Sequence, residues 1–141
     1  MIREVHEEDL SQIRTINAIS LGYEVDMETV VQQFKRCTAT NHILLAFEGD
    51  HGQVLGYIHA QIYESLYSDR GLNILALAVL PNFQGKGVGN SLLQSLESYA
   101  REYGFRFIRL NSANHRKQAH LFYEKNGYLS DKQQKRFIKY I

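Results

Sequence analysis

A single cysteine, Cys37, and a single proline, Pro81, are the first constraints on this chain of 141 residues. One thiol cannot close an internal disulfide, so the core must hold the fold, and a reducing, cytoplasmic setting is expected. One proline argues against proline-rich linkers and disordered tails. An excess of charge of either sign is also lacking. The 16 basic and 15 acidic residues leave a net charge of +1, so no overall field recruits nucleic acid or anionic lipid, and any anion site must be local. No apolar run approaches the roughly 20 residues that span a bilayer, and Met1–His6 has no signal-peptide character. Neither a membrane nor a nucleic-acid partner is expected. What is present, 44% apolar and 22% charged residues, suffices for a continuous core, and residues 1–141 are expected to form one domain.

Periodicity supplies the elements. Met1–His6 can pair as an edge strand, and Glu7, Glu8 and Asp9 suit the positive end of a helix dipole. Leu10, Ile13, Ile16 and Ile19 recur at helical spacing up to Gly22. After the loop Leu21–Val25, Asp26 can cap a second helix with Met27, Val30, Val31 and Phe34 on one stripe. Ile43–Phe47, the turn Glu48–Gly52 and the alternating run from Val54 read as a hairpin, with Val54, Gly56, Ile58, Ala60 and Ile62 on the core face and Leu55, Tyr57, His59, Gln61 and Tyr63 opposite. Leu72–Leu80 reads as a strand covered on both faces. A long helix should run from Gly87 to Tyr103 on Val88, Leu92, Leu96, Tyr99 and Tyr103, ended by Gly104. A strand over Phe105–Leu110, a short helix closed by Asn126-Gly127 and a last strand over Arg136–Ile141 complete the order β-α-α-β-β-β-α-β-α-β-β, a mixed α/β sheet flanked by helices.

The stretch Leu77–Gly89 joins a buried strand to the start of the long helix. Glycines there leave backbone N–H groups unshielded, and the first helical turn adds unpaired donors, so a diphosphate can bind without an arginine cluster. A nucleoside-triphosphate loop would need Gly-Lys-Ser/Thr, which is absent. A dinucleotide fold would need Gly-x-Gly-x-x-Gly, whereas the spacing here is Gly-x-Gly-x-Gly across Gly85, Gly87 and Gly89. A tight turn needing glycine only for backbone shape is the plainer alternative.

The segment resembles the acetyl-CoA motif of the GNAT superfamily of N-acetyltransferases, Gln/Arg-x-x-Gly-x-Gly/Ala, at Gln84, Gly87 and Gly89; Asn114, Ala119, Phe122-Tyr123 and Gly127-Tyr128 resemble the downstream half of that cofactor site. The resemblance implies a V-shaped split where Leu72–Leu80 leaves Phe105–Leu110. Pantetheine would pair with backbone at Leu77 and Val79, and the diphosphate would lie on Gln84, Gly85, Lys86, Gly87, Val88, Gly89 and Asn90, with Asn114 reaching the pantetheine arm. It implies acetyl-CoA as cosubstrate and transfer to a primary amine of a small molecule or peptide by direct attack.

Such a transfer needs a neutral amine, a stabilised oxyanion and a proton for the departing thiolate. The resemblance places the Tyr123 hydroxyl by the sulfur, and an ordinary phenol stays protonated at neutral pH. Backbone N–H near Val79 can meet the oxyanion. Many relatives carry a glutamate on the strand before the glycine loop, but Leu72–Leu77 holds no carboxylate. Glu64 and Glu24 are the candidate bases, acting through water. His59, His115 and His120 offer a histidine base in principle, but their spacing fits no metal motif and no metal is expected. Arg116 and Lys117 can meet a CoA phosphate or form a solvated basic turn.

In relatives the acceptor region is bordered by the Leu21–Val25 loop, the Tyr63–Asp69 segment and the C-terminal hairpin. Glu24, Glu64 and Asp69, with Tyr23, Tyr63 and Tyr67, favour a cationic amine. A homodimer through the C-terminal strands fits the family. The rival reading is a non-catalytic acyl-CoA-binding or sensing module. The basic tail of Lys132, Lys135, Arg136 and Lys139 is weaker support still for nucleic-acid binding.

Overall fold

A computed structural model describes all residues, Met1–Ile141. They divide into two units, Met1–Leu110 and Asn111–Ile141. In the first, five strands lie in the order β1 (Ile2–Glu4), β2 (His42–Glu48), β3 (Val54–Ser65), β4 (Ser68–Val79) and β5 (Ile108–Leu110). The first four pair antiparallel and β5 joins β4 in parallel. Helices α1 (Leu10–Ile16) and α2 (Met27–Ala39) follow β1, and α3 (Val88–Glu102) crosses from β4 to β5.

Both sheet faces are buried. Ala46, Tyr57 and Ala78 stand in register across β2, β3 and β4 and pack with Leu10, Ile13 and Ile16 of α1, while Met27, Val30, Val31 and Phe34 of α2 close over them. The opposite alternation puts Ile58, Ala60, Leu72 and Ile74 on the other face, toward α3, which buries Val88, Leu92, Leu93, Leu96 and Ala100. Asp26 caps α2, its Oδ1 accepting from Thr29 N–H at 2.7 Å. The buried Asp9 accepts from His6 N–H at 2.7 Å and from both terminal nitrogens of Arg3 at 2.7 and 2.9 Å, tying the first turn to β1.

Several expectations are corrected. Leu55 and Tyr57, read on the face opposite the core face of β3, are buried as well, because helices cover both sides of that strand. Ile19 is 58% exposed, because α1 continues as a π-helical turn over Asn17–Leu21 and the wider winding rotates the apolar stripe off the core. Tyr103 is exposed, where α3 runs past the sheet. The strand expected over Phe105–Leu110 is regular only at Ile108–Leu110; Arg106 N–H and Phe107 O still bond Arg70 O and Leu72 N–H of β4, while Phe105 N–H turns back to Ala100 O at 2.9 Å.

The second unit holds α4 (Lys117–Lys125), closed by Asn126 and by Gly127 at φ 88. No strand forms over Arg136–Ile141. Its own unit offers no strand to share ladder hydrogen bonds, without which an extended segment has no regular structure. The expected order therefore ends at α4.

Candidate active site

The site begins with a fault in β4. Opposite the β3 neighbours His59 and Ala60, β4 presents Ala76 and Ile74, so Leu75 is an extra residue that bulges from the ladder. The pairing of β4 with β5 covers Leu72, Asn73 and Ile74 and stops there. Leu75 is 48% exposed, so the expectation of a strand covered on both faces fails at the bulge. Beyond it, Leu80 N–H donates to Leu55 O on the β3 side at 2.9 Å. Strand alternation then turns the backbone of Val79 and Leu77 toward the edge that β5 leaves open. The split expected between the two strands is thus present within the first unit.

Two side chains trim that edge. Ser20 Oγ and Gln84 Nε2 both donate to Val79 O, at 2.8 and 2.9 Å. They occupy this carbonyl and leave the amide of Val79 as its polar group on the edge. The motif glutamine therefore anchors the glycine loop to the end of β4. Ser20 was not legible as a site residue, for it lies 59 positions from Val79 and a lone serine after a helix carries no pattern.

A short 3-10 turn over Pro81–Phe83 leads into the loop. Gly85 and Gly87 have φ of 74° and 89°, and a Cβ built on either meets no atom within 4 Å. Gly87 is the N-cap of α3 and makes no side-chain cap, so the first N–H groups of the helix lack a partner from it. Close packing is not what requires glycine here. Backbone conformation does, and it leaves an open cradle over helical N–H groups. Within the first turn of α3, the buried Asn90 Oδ1 has no hydrogen-bond partner. Lys86 is exposed, its Nζ 5.7 Å from the Phe83 ring centre. An open cradle over helical N–H groups fits an anionic ligand such as the CoA diphosphate.

The candidate bases are not brought together. Glu64 pairs with Arg70 Nε at 2.8 Å at the exposed end of the β3–β4 hairpin. Glu24 lines a cleft of about 540 Å³ with Arg14, Asp26 and neighbours from α1 and the loop before α2. On the sheet, Asn73 of β4 donates to Gln61 Oε1 at 2.9 Å and accepts from Arg109 at 2.6 Å, a polar row on the very strand that lacks a carboxylate. In the second unit Tyr123 is half-buried between the rings of Phe122 and Tyr128, at 5.2 and 5.8 Å. Burial pushes its phenol above the ordinary value, with Arg116 acting the other way, so it is a hydroxyl at neutral pH. Asn114 and His115 are exposed, and His120 Nε2 lies 2.9 Å from Ala113 O.

The sequence profile of the Acetyltransferase (GNAT) family matches residues 7–128. An uncharacterized N-acetyltransferase of Bacillus subtilis, YhfO, is 32% identical over 104 residues, covering 71% of this chain and 68% of that protein. The aminoalkylphosphonate N-acetyltransferase of Salmonella typhimurium is 26% identical, covering 90% of this chain and 83% of the relative. Among solved structures, AAC(6')-Iy in complex with the bisubstrate analog CoA-S-monomethyl-acetylneamine superposes with a TM-score of 0.85 at 15% identity, covering 100% of this chain and 98% of that one. With the split strand and the glycine cradle in place, the chain belongs to the GNAT acetyltransferase family. It is an acetyl-CoA-dependent N-acetyltransferase, and the reading as a non-catalytic acyl-CoA module is not favoured. No helix is long and apolar enough to cross a membrane.

Proposed function

We propose that the chain, acting in the cytoplasm as one domain, acetylates a cationic primary amine of a small molecule or peptide, and that its acceptor approaches past the cleft holding Glu24. The family match, which spans both units, supports the single-domain reading. The observation that carries the reaction is the release of β4 from β5 beyond Ile74. It leaves strand backbone at Leu77 and Val79 for the pantetheine arm, next to the loop Gln84–Asn90 for the diphosphate. Asn114 and Tyr123 enter this reading on the family motif alone.

In the proposed step the neutral amine attacks the thioester carbonyl, forming the C–N bond. The carbonyl oxygen takes up negative charge that the Val79 N–H on the open edge can meet. The C–S bond then breaks and Tyr123 gives its phenolic proton to the sulfur, while the amine loses a proton to water. Glu64 is already engaged by Arg70 at the exposed end of the hairpin, which leaves Glu24 the more available of the two candidate bases. Glu24, in the cleft, serves as base through water and as attractor of a cation.

Relatives whose names state an amine substrate or its analogue, among them an aminoalkylphosphonate enzyme and a protein held with an acetylneamine conjugate, support a small polar acceptor. A panel of amines of graded charge, with acetyl-CoA and detection of free thiol, tests this. Cationic amines should turn over faster, with a rate that falls as salt rises and falls again in Glu24→Gln. A preference for neutral apolar amines with no salt effect would reject the acceptor class.

A further inference from the structure

The sheet face under α2 carries a second polar cluster that the transfer reaction does not use. The apolar stripe Met27, Val30, Val31 and Phe34 ends in the last turn of α2 at Cys37, half-buried against the sheet. The chain then reverses through Thr40 and Asn41, the latter at φ 62, and Asn41 O accepts from Ile62 N–H at 2.8 Å, pinning the turn to β3. His42 opens β2 directly after it. In the β2–β3 ladder Leu44 faces His59 and Gln61 faces His42, so the two histidines are diagonal neighbours on one face. Their rings lie 5.0 Å apart, with His42 Nδ1 and His59 Nε2 at 2.8 Å. The Sγ of Cys37 joins them, and the three donor atoms lie within 4.8 Å of one another.

From this geometry we propose that Cys37, His42 and His59 form a binding site for one zinc ion, with a fourth position left to water. Zinc takes sulfur at about 2.3 Å and imidazole nitrogen at about 2.0–2.1 Å in a tetrahedron. Donors so arranged stand about 3.3–3.6 Å apart. That separation falls between the 2.8 Å of the histidine contact and the 4.8 Å limit of the set, so side-chain rotations short of backbone movement bring all three to the metal. Sulfur with two imidazoles is a borderline-soft set that suits zinc over magnesium or calcium. Binding would displace the Cys37 thiol proton, because zinc takes the thiolate. The bound ion would tie the end of α2 to β2 and β3, and His59 stands opposite Ala76, beside the β4 bulge. The expectation of a metal-free protein came from histidine spacing alone, whereas these ligands come from a helix end and two strands and share no sequence motif.

Cobalt(II) tests the site, because the chain has one cysteine and a thiolate-to-cobalt absorption band can arise only from Cys37. Reduced, chelator-treated full-length protein should bind one equivalent of Co2+, show that near-ultraviolet band with strong tetrahedral visible bands, and lose both on adding Zn2+. Cys37→Ser should abolish the near-ultraviolet band. His42→Gln should weaken Co2+ binding by at least the roughly 10- to 100-fold that loss of an outer-shell partner costs. Zn2+ should raise the Tm of the wild type and leave that of Cys37→Ser unmoved. Folded wild-type protein that binds Co2+ without the thiolate band, or binds none, would overturn the site, as would unchanged affinity in a folded His42→Gln.

Discussion

Replacing Gly87 by valine separates what the glycine loop does for the fold from what it does for the ligand. At φ 89° an L residue is strained, although its Cβ meets nothing within 4 Å of the protein. The folding cost is therefore backbone strain alone, about 1–2 kcal/mol, a fall of roughly 3–8 °C in Tm for a chain of this size. The space the new side chain enters is the space proposed for the diphosphate. Losing even one N–H contact to a charged group costs about 1.5–3 kcal/mol, so acetyl-CoA should bind roughly 10- to 150-fold more weakly. Gly104→Val is the matched control. It has φ 76° and an equally open Cβ, but sits at the far end of the 15-residue α3, about 22 Å away. It should lower Tm comparably and leave acetyl-CoA affinity unchanged. Calorimetric titration well below both unfolding transitions gives the comparison. Equal affinity for wild type, Gly87→Val and Gly104→Val would remove the loop from the cofactor site.

Tyr123→Phe should keep acetyl-CoA affinity within a few-fold and lower kcat by roughly 10- to 1,000-fold. Because burial raises the phenol's pKa, the wild-type hydroxyl remains an acid through neutral and mildly alkaline pH. The deficit should shrink at high pH, where a thiolate leaves unaided, and a wild-type rate at every pH, with chemistry rate-limiting, would refute the role. Gly71→Ala should be badly tolerated, since a Cβ there falls 2.3 Å from the Phe107 ring. We expect a loss of about 1–3 kcal/mol in urea unfolding, partly restored by adding Phe107→Leu. Arg3 holds the Asp9 carboxyl below its ordinary value, so this pair stabilises the fold above the unfolded pKa of about 4 and is lost as pH falls through the folded one. Thermal scans should show the wild type losing stability below about pH 4 more steeply than Asp9→Asn, and parallel curves would dismiss the pair.

The sequence carried the fold where one period ran undisturbed. Leu10, Ile13 and Ile16, the Val88–Leu96 side of α3 and the Glu48–Gly52 turn stand as expected. It failed where winding changed, as at Ile19 within the π turn, or where an inserted residue broke a ladder, as at Leu75. Neither alters composition or spacing. The glycine cradle was legible because backbone at positive φ demands glycine by name, at Gly85 and Gly87. The Ser20 and Gln84 contacts to Val79 and the Cys37–His42–His59 cluster were not, since a sheet assembles them from distant positions. Arg136–Ile141 read as a last strand, but a strand needs a partner that its sequence cannot supply.

The central claim, that this chain transfers the acetyl group of acetyl-CoA directly to an amine, is met most directly by following a labelled acetyl group. Protein incubated with acetyl-labelled acetyl-CoA and the best amine of the panel should release free thiol and N-acetylated amine in equal amounts, with no label retained on the protein and negligible release without the amine. Tight acetyl-CoA binding with no labelled amine from any acceptor, or label held covalently on the protein, would contradict it.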